Sequence, residues 1–322
     1  MRTEMEWNGR RVVIAPCPAL GDVTIYLRLA WLFHLAGAEV RFVSSLLKPA
    51  EKYFGWLKVE LSEQVDLLHL CTQADLVICY INWLTCHPDS LDRVLEERNI
   101  CFVTAKKLPA ALKLDGREVV VGDHVFAGAS RALCQSSRAG LTMVGWVDEY
   151  AATVFGLRSD APINVDLSKH CADSKRRVAI FPTTPHAKKN YTTRGFRWLA
   201  QRLQKRGWLV EIVGMPHEIE VLARCFPGFS IRTFPDVRAL MDFLVNCSVV
   251  VSNDSGGGHL GSLLGLQSFT VTRKHTGFVW RPGFNTRNEV LAPIVSFKLL
   301  GRYIWRPFIP IWRISKRLGY SR

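Results

Sequence analysis

Two successive series of alternating strand and helix patterns constrain the fold of this chain more than any other feature. In each series a short apolar run precedes a longer helical pattern: "RRVVIAPC" precedes "VTIYLRLAWLFHLAG", and "RRVAIFPTT" precedes "TRGFRWLAQRLQKRG". Buried strands that alternate with amphipathic helices predict parallel sheets with helices on both faces. The sequence therefore predicts an α/β fold with two Rossmann-like, doubly wound domains facing across a cleft.

A polar, proline-containing stretch separates the two series and indicates a linker. The chain has 322 residues, which is enough for two domains of ordinary size. We expect an N-terminal domain over 1–158, a linker over 159–176 and a C-terminal domain over 177–295, followed by a basic aromatic tail over 296–322. In the first domain we also expect a single strand over 117–126.

Charge is distributed unevenly between the two halves. Residues 1–157 hold 16 Lys and Arg against 18 Asp and Glu, whereas the remainder holds 26 against 10. The net charge of +14 is thus carried by the second half. A positive charge confined to one half predicts a binding site there for an anionic ligand.

The cysteines and the lengths of the apolar runs indicate the cellular compartment of the protein. The nine cysteines contain no C-x-x-C pair, and we expect them to be reduced thiols in the cytosol. The N-terminal sequence is not that of a signal peptide, and no stretch reaches the roughly 18 apolar residues of a membrane span. These patterns predict a cytoplasmic protein.

The segment "NDSGGGHLGSLLG" (253–265) contains G-x-G-x-x-G at Gly256, Gly258 and Gly261. A dinucleotide fingerprint opens the first βαβ unit of its domain and is followed about 20 residues later by an acid. Here the motif follows one of the last strands, and no acid occurs between Asp254 and Glu289. A P-loop is excluded as well, because no G-K-[ST] follows.

With these two motifs excluded, the segment reads as a strand that ends at Asn253 and Asp254, a tight turn, and a helix that begins near His259. The free N–H groups of such a helix would bind an anion. Alternatively, Asp254 only caps the helix and His259 only packs against its surroundings. The glycines alone leave both interpretations open.

Three motifs together resemble glycosyltransferase family 9, the ADP-heptose:lipopolysaccharide heptosyltransferases. "DSGGGHL" resembles the family's D-[ST]-G-x-x-H, "PALGDV" its Gly-Asp after the first strand, and "TTPHAKKNY" its T-T…K-x-[WY] element. The matching residues outside the glycine segment are Gly21, Asp22, Thr183, Thr184, Lys189 and Tyr191. They occur in the family's order over nearly the whole chain.

The resemblance implies the GT-B fold, with the acceptor on the N-terminal domain and the nucleotide sugar on the C-terminal one. It implies an inverting transfer of heptose from ADP-heptose to a lipid-linked core oligosaccharide of lipopolysaccharide, with no cofactor and no metal. The chain has no D-x-D, no H-E-x-x-H and no clustered cysteines.

The resemblance also assigns roles to single residues. Asp22 resembles the general base; alternatively, it only caps the first helix. Lys189 resembles the lysine that neutralises the leaving diphosphate, unless Lys188 is the true partner or both are solvated. The residues that the resemblance assigns to donor binding are Thr183, Thr184, Lys188, Asp254, Ser255, Gly256, Gly257, Gly258 and His259.

The loop "RKHTGFVWRPG" (273–283) departs from the family, which has a Gly and a Thr with a nearby Pro there. Arg273, Lys274 and Arg281 could add contacts to phosphate in this loop.

The tail interleaves aromatic residues with seven cations and has no acid. Such a composition is typical of segments at an anionic membrane surface, and it predicts a peripheral protein on the inner face of the inner membrane. Alternatively, the tail packs on the N-terminal domain. Nucleic acid is not expected, because no helix-turn-helix or RNA-binding signature is present.

Three other functions remain open at this point. The chain could be a GT-B transferase for another nucleotide sugar, a GT-B-fold nucleotide-sugar epimerase, or a non-enzymatic protein that binds nucleic acid or lipid. Turnover of a nucleotide sugar with and without a lipid acceptor distinguishes them.

Overall fold

Two six-stranded parallel sheets, one in each half of the chain, are the main feature of this computed structural model. It describes residues 5–86, 91–114, 116–136, 138–168 and 176–319. The chain divides into two compact units, Met1–Asp166 and Leu167–Arg322. The predicted α/β class with two doubly wound sheets is confirmed.

The sheet of the first unit has the strand order β3-β2-β1-β4-β5-β8. Its strands are β1 (Arg11–Ala15), β2 (Glu39–Val43), β3 (Lys58–Glu60), β4 (Leu76–Tyr80), β5 (Ile100–Thr104) and β8 (Arg131–Ala132). The α-helices of this unit are α1 (Leu20–Leu35), α2 (Leu67–Gln73), α3 (Asn82–Cys86), α4 (Leu91–Glu96) and α5 (Met143–Phe155).

Residues 117–126 form two strands rather than the single strand predicted. Val119–Val121 (β6) and His124–Phe126 (β7) pair antiparallel in a hairpin outside the parallel sheet. The chain reverses at Gly122, whose φ of 56° lies in the left-handed region that glycine tolerates. The apolar run "VVV" alone gave no sign of this reversal.

The second sheet repeats the order of the first, β11-β10-β9-β12-β13-β14. Its strands are β9 (Arg177–Phe181), β10 (Leu209–Val213), β11 (Ser230–Arg232), β12 (Val249–Asn253), β13 (Gln267–Val271) and β14 (Asn288–Leu291). A hairpin of β15 (Phe297–Leu299) and β16 (Arg302–Ile304) follows. The α-helices are α6 (Thr193–Gln204), α7 (Ile219–Cys225), α8 (Val237–Leu244), α9 (Gly256–Leu263) and α10 (Trp312–Gly319).

Helix α6 shows how the sequence determines these elements. Thr192 caps its start by accepting a hydrogen bond from the backbone N–H of Gly195 at 3.1 Å. Its buried residues, Phe196, Leu199, Ala200 and Leu203, recur at the spacing of one helix face and pack against the sheet. Gly207, with a φ of 80°, lies just beyond its end.

The C-terminal segment contributes to the core of the second unit. Trp305, Ile309, Ile311, Ile314 and Leu318 belong to the same buried cluster as the apolar face of α6, and α10 contacts α6. Its apolar side chains are therefore held within the second unit, which the composition of the tail did not indicate. Within the described residues, no helix is both long and apolar enough to cross a membrane.

We expect Ile314→Ala to lower the free energy of unfolding by about 2–5 kcal/mol, because it removes a buried side chain and leaves a cavity. Ile314 is fully buried, whereas its neighbour Trp312 is 48% exposed. Trp312→Ala is therefore the matched control, with a change within about 0.5 kcal/mol. Urea unfolding measures both; equal losses would contradict the assignment of α10 to the core.

Candidate functional site

The strongest candidate site lies where β9 and β12 end, in the second unit. These strands are neighbours at the centre of the sheet, and the connection from β9 leads to β10 on its other side. Such a reversal of strand order creates a crevice at the carboxyl ends of the strands, where α/β proteins bind ligands. The segments that follow the two strands contain all the donor-binding residues predicted from the sequence.

The glycine segment after β12 is helical from Gly256 onward, three residues earlier than we predicted. The reason is close packing. A Cβ on Gly257 would lie 2.7 Å from the Phe181 ring, and one on Gly258 would lie 2.6 Å from Ser252 Oγ. The glycines thus allow the first turn of α9 to press against β9 and β12.

The N-terminus of α9 has unused hydrogen-bonding capacity. Ser255 is the N-cap residue, but among the described residues its side chain makes no capping bond and its buried hydroxyl has no hydrogen-bond partner. The first N–H groups of any α-helix lack partners within the helix and carry the positive end of its dipole. This helix start can therefore bind an anion, and the Ser255 hydroxyl can donate to it.

Two lysines from different loops converge on Asp254. Lys189 Nζ lies 3.3 Å and Lys274 Nζ 3.9 Å from Asp254 Oδ2. The carboxylate of Asp254 is only 9% exposed. Two cations beside one carboxylate leave net positive charge at the start of α9. Lys189 is half-buried, whereas Lys188 is exposed, which favours the register that assigns Lys189 to the site.

The two threonines after β9 are engaged within the protein. Thr183 donates to Glu218 Oε2 at 3.0 Å, and the N–H of Met215 donates to the same oxygen at 2.8 Å. Thr184 donates to Asn190 Oδ1 at 2.7 Å. Thr184 therefore shapes the turn that carries the lysines. Glu218 was missed from the sequence, because no local pattern relates it to a threonine 35 residues earlier.

Asn253, the last residue of β12, connects the start of the glycine segment to the loop after β9. It is fully buried, its Oδ1 accepts from the N–H of Tyr191 at 2.9 Å, and its Nδ2 donates to the carbonyl of Pro182 at 2.7 Å. Both partners flank the segment that contains Lys189. This amide fixes the lysine turn against the glycine helix.

The first unit has a second candidate site at the start of α1. Asp22 is the third residue of this helix, and the N-cap residue is Ala19, which makes no side-chain cap. Asp22 is therefore not the N-cap. The positive end of the helix dipole lies in this first turn.

Asp22 lies among neutral hydroxyl and thiol groups. Burial raises the pKa values of Tyr26, Tyr80 and Cys17, and the negative charge of Asp22 raises all three further. Tyr26 follows Asp22 by one helical turn, on the same face of α1. Its buried hydroxyl has no hydrogen-bond partner among the residues that the structure describes. The spacing of Asp22 and Tyr26 is visible in the sequence, but the burial of the Tyr26 hydroxyl is visible only in the structure.

Comparison with known proteins identifies the second unit. Residues 150–292 match the model of glycosyltransferase family 9 (heptosyltransferase). The chain contains a glycosyltransferase family 9 domain. This finding confirms the resemblance inferred from the three motifs, and it makes the protein a heptosyltransferase-like glycosyltransferase. No curated protein sequence matches the chain significantly.

Solved structures of the family share the fold of this glycosyltransferase. A glycosyltransferase family 9 protein from Veillonella parvula DSM 2008 superposes with a TM-score of 0.71, at 13% identity over 98% of this chain and 97% of that one. E. coli heptosyltransferase WaaC with ADP gives 0.65, at 15% identity over 97% and 100%. E. coli ADP-heptose lps heptosyltransferase II gives 0.57, at 13% identity over 96% and 97%. The likeness supports the GT-B-like architecture.

His259 lies inside α9 in the glycosyltransferase domain. It is buried, and its ring hydrogen-bonds with the Trp280 backbone. In the part of the chain that the structure describes, its Nδ1 has no hydrogen-bond partner. Burial lowers its pKa to about 4, although the nearby Asp254 acts in the opposite direction. The imidazole is therefore neutral near pH 7 and can act there through hydrogen bonds, not as a cation. Within the described residues, no group of three or more His, Cys, Asp or Glu could hold a metal ion.

The low pKa of His259 predicts a loss of stability in acid. In the unfolded chain the histidine takes up its proton below about pH 6.5, whereas the folded protein resists protonation until about pH 4. The unfolded state therefore binds more protons in this window, and stability falls as the pH falls through it.

Between pH 6.5 and 5 we expect the free energy of unfolding of the wild type to fall by about 1.5 kcal/mol more than that of His259→Gln, whose side chain at 259 cannot titrate. Urea unfolding of both proteins at the two pH values measures the difference. Identical losses would show that the protonation of His259 is not coupled to unfolding.

Proposed function

We propose that this glycosyltransferase transfers a heptose, with inversion, from ADP-heptose to a hydroxyl of a lipid-linked core oligosaccharide of lipopolysaccharide. The observation that carries the proposal is the convergence of Lys189 and Lys274 on Asp254 at the open N-terminus of α9. This arrangement suits a nucleoside diphosphate, which needs both cations and N–H donors. WaaC has been solved with ADP and with ADP-2-deoxy-2-fluoro heptose, which supports the same donor class here.

In the proposed reaction, Asp22 removes the proton from the acceptor hydroxyl as its oxygen bonds to the anomeric carbon. The bond from that carbon to the diphosphate oxygen breaks, and the electron pair leaves with ADP. A positioned carboxylate suits the proton transfer. Attack from the face opposite the leaving group inverts the anomeric centre.

Lys189 is proposed to stabilise the negative charge that develops on the diphosphate, with Lys274 and the α9 N–H groups beside it. Fixed positive groups aimed at developing charge are a large source of catalysis. Lysines at this position provide positive charge without a metal ion, and we propose a metal-independent transfer. Asp254, released from Lys189 when the diphosphate binds, would be free to accept hydrogen bonds from the donor's hydroxyls.

We expect Asp22→Asn to reduce the rate of heptose transfer by about 10²- to 10⁴-fold, the usual contribution of a general base. Its affinity for ADP should stay close to that of the wild type, because the donor contacts come from the other unit. The assay incubates ADP-heptose with lipopolysaccharide that lacks the outer core and records the added mass by mass spectrometry.

The control for this assay is Asp123→Asn, which changes an exposed carboxylate in the β6–β7 turn of the same unit. A rate near that of the wild type for Asp22→Asn would exclude Asp22 as the base. Consumption of ADP-heptose by the wild type without any acceptor, with a new sugar isomer formed, would favour an epimerase.

An exposed apolar hairpin supports a membrane partner. Leu299 and Leu300 are 55% and 94% exposed, and Ile294, just before the hairpin, is 67% exposed. Lys298 and Arg302, one on each strand of the hairpin, are exposed as well. The turn is tight, because Leu300 and Gly301 both have positive φ. Residues 290–322 contain no acid that would repel an anionic surface.

We propose that this hairpin and the exposed cations of α10 lie on the anionic inner face of the inner membrane, where the lipid-linked acceptor is found. Each cation near such a surface contributes about 1 kcal/mol, within a Debye length of about 8 Å. Apolar side chains at the tip add attraction that does not depend on salt. Arg313 and Lys316 are exposed, whereas Arg317 pairs with Glu289 at 3.4 Å.

The double variant Leu299→Ser, Leu300→Ser should bind anionic vesicles several-fold more weakly in a sedimentation assay, and added salt should weaken the wild type. Neutral vesicles should bind poorly in every case. The control variant Ile219→Ser, Val221→Ser changes exposed apolar residues of α7 and should bind as the wild type does. Vesicle binding that changes neither with salt nor with the hairpin substitutions would refute the proposal that the hairpin lies on the membrane.

A further inference from the structure

The turn that carries Lys188 and Lys189 is short and depends on outside contacts for its position. Residues Ala187–Lys189 form a single 3₁₀ turn. Its internal bonds run from the N–H of Lys189 to the carbonyl of His186 at 2.8 Å and from the N–H of Asn190 to the carbonyl of Ala187 at 3.2 Å. Two such bonds do not fix a loop relative to the rest of a domain.

An arginine from the C-terminal segment holds both ends of this turn. Arg306 Nε donates to the carbonyl of Asn190 at 2.7 Å, and its Nη2 donates to the carbonyl of Ala187 at 3.1 Å. The planar guanidinium presents two donors in a fixed geometry, so the two carbonyls are held at a fixed separation. A partner 116 residues later in the chain thus sets the geometry of the lysine turn.

Arg306 is itself held in place by the core. Its guanidinium lies over the Trp305 ring, 5.1 Å from the centroid. The Trp305 side chain is buried, and its ring lies 6.5 Å from that of Tyr191, the residue that follows the turn and Asn190. The side chain of Arg306 is therefore anchored by its contact with the buried Trp305 ring.

The contacts of Arg306 complement those of two other side chains. Thr184 holds Asn190 through its side chain, and Asn253 holds the N–H of Tyr191. Asn253 acts from the end of β12 and Thr184 from the segment after β9, whereas Arg306 acts from the C-terminal segment. Together they bring Lys189 to 3.3 Å from Asp254.

We infer that Arg306 is a positioning residue of the donor site, which fixes Lys189 through the backbone of its turn. The inference rests on the proposal that Lys189 binds the donor diphosphate. It makes the C-terminal segment part of the nucleotide-binding machinery, although that segment lies outside residues 150–292, which match the family model.

Calorimetric titration of ADP tests the inference with a double-mutant cycle. Arg306→Ala should weaken ADP binding by about tenfold, the effect of losing hydrogen bonds from a charged group. Arg306→Lys keeps the positive charge but not the two fixed donors of the guanidinium, and it should recover only part of the lost affinity. The control is Arg224→Ala, because Arg224 Nε also donates to a backbone carbonyl, that of Glu220 at 3.4 Å, and it should bind as the wild type does.

The double variant Arg306→Ala, Lys189→Ala should bind ADP no more weakly than Lys189→Ala alone, because Arg306 acts through that lysine. Additive losses would overturn the positioning role and indicate a separate contribution. If Lys189→Ala itself had no effect, the proposed donor role of Lys189 would fail instead, which keeps the two outcomes distinct.

Hydrogen exchange without nucleotide gives an independent readout. In Arg306→Ala the amides of Lys189 and Asn190 should exchange at least several-fold faster, while those of β9 and β12 keep their wild-type rates. Unchanged exchange in the turn would refute the inference, and faster exchange throughout the unit would show that Arg306 supports the fold as a whole.

Discussion

The register between β9 and β12 is the constraint on which the candidate donor site depends. Phe181, the last residue of β9, pairs with Ser252, so both strands end at the same edge of the sheet. The lysine turn leaves one strand and the glycine helix leaves the other. A slip of two residues in this register would shift Lys189 by about 7 Å relative to Asp254, which would break the ion pair.

Close packing and buried hydrogen bonds then convert this register into a defined site. The absence of side chains on Gly257 and Gly258 lets α9 approach Phe181 and Ser252. Asn253 bonds across to the segment after β9. Two buried polar atoms there, Ser255 Oγ and His259 Nδ1, have no hydrogen-bond partner within the described ranges. Such atoms are costly unless a ligand or water satisfies them. Their cost is consistent with a site built for an occupant.

The sequence was sufficient to predict the α/β class, the two sheets and the family, because apolar runs and motifs are local patterns. It did not predict that α9 begins at Gly256, because glycine usually disfavours helix and the packing that favours it here is tertiary. Glu218, Asn253 and Arg306 were also missed. Each contacts a residue at least 35 positions away, and such pairs leave no periodic signal in one sequence.

Lys189, and not its neighbour Lys188, is the residue that we propose binds the donor diphosphate beside α9. The most direct test is the ADP affinity of Lys189→Ala and Lys188→Ala measured by calorimetry at low salt. We expect Lys189→Ala to weaken binding about tenfold or more and Lys188→Ala to change it much less, because an exposed charge contributes little. Wild-type affinity in Lys189→Ala, or a loss confined to Lys188→Ala, would show that Lys189 does not bind the diphosphate.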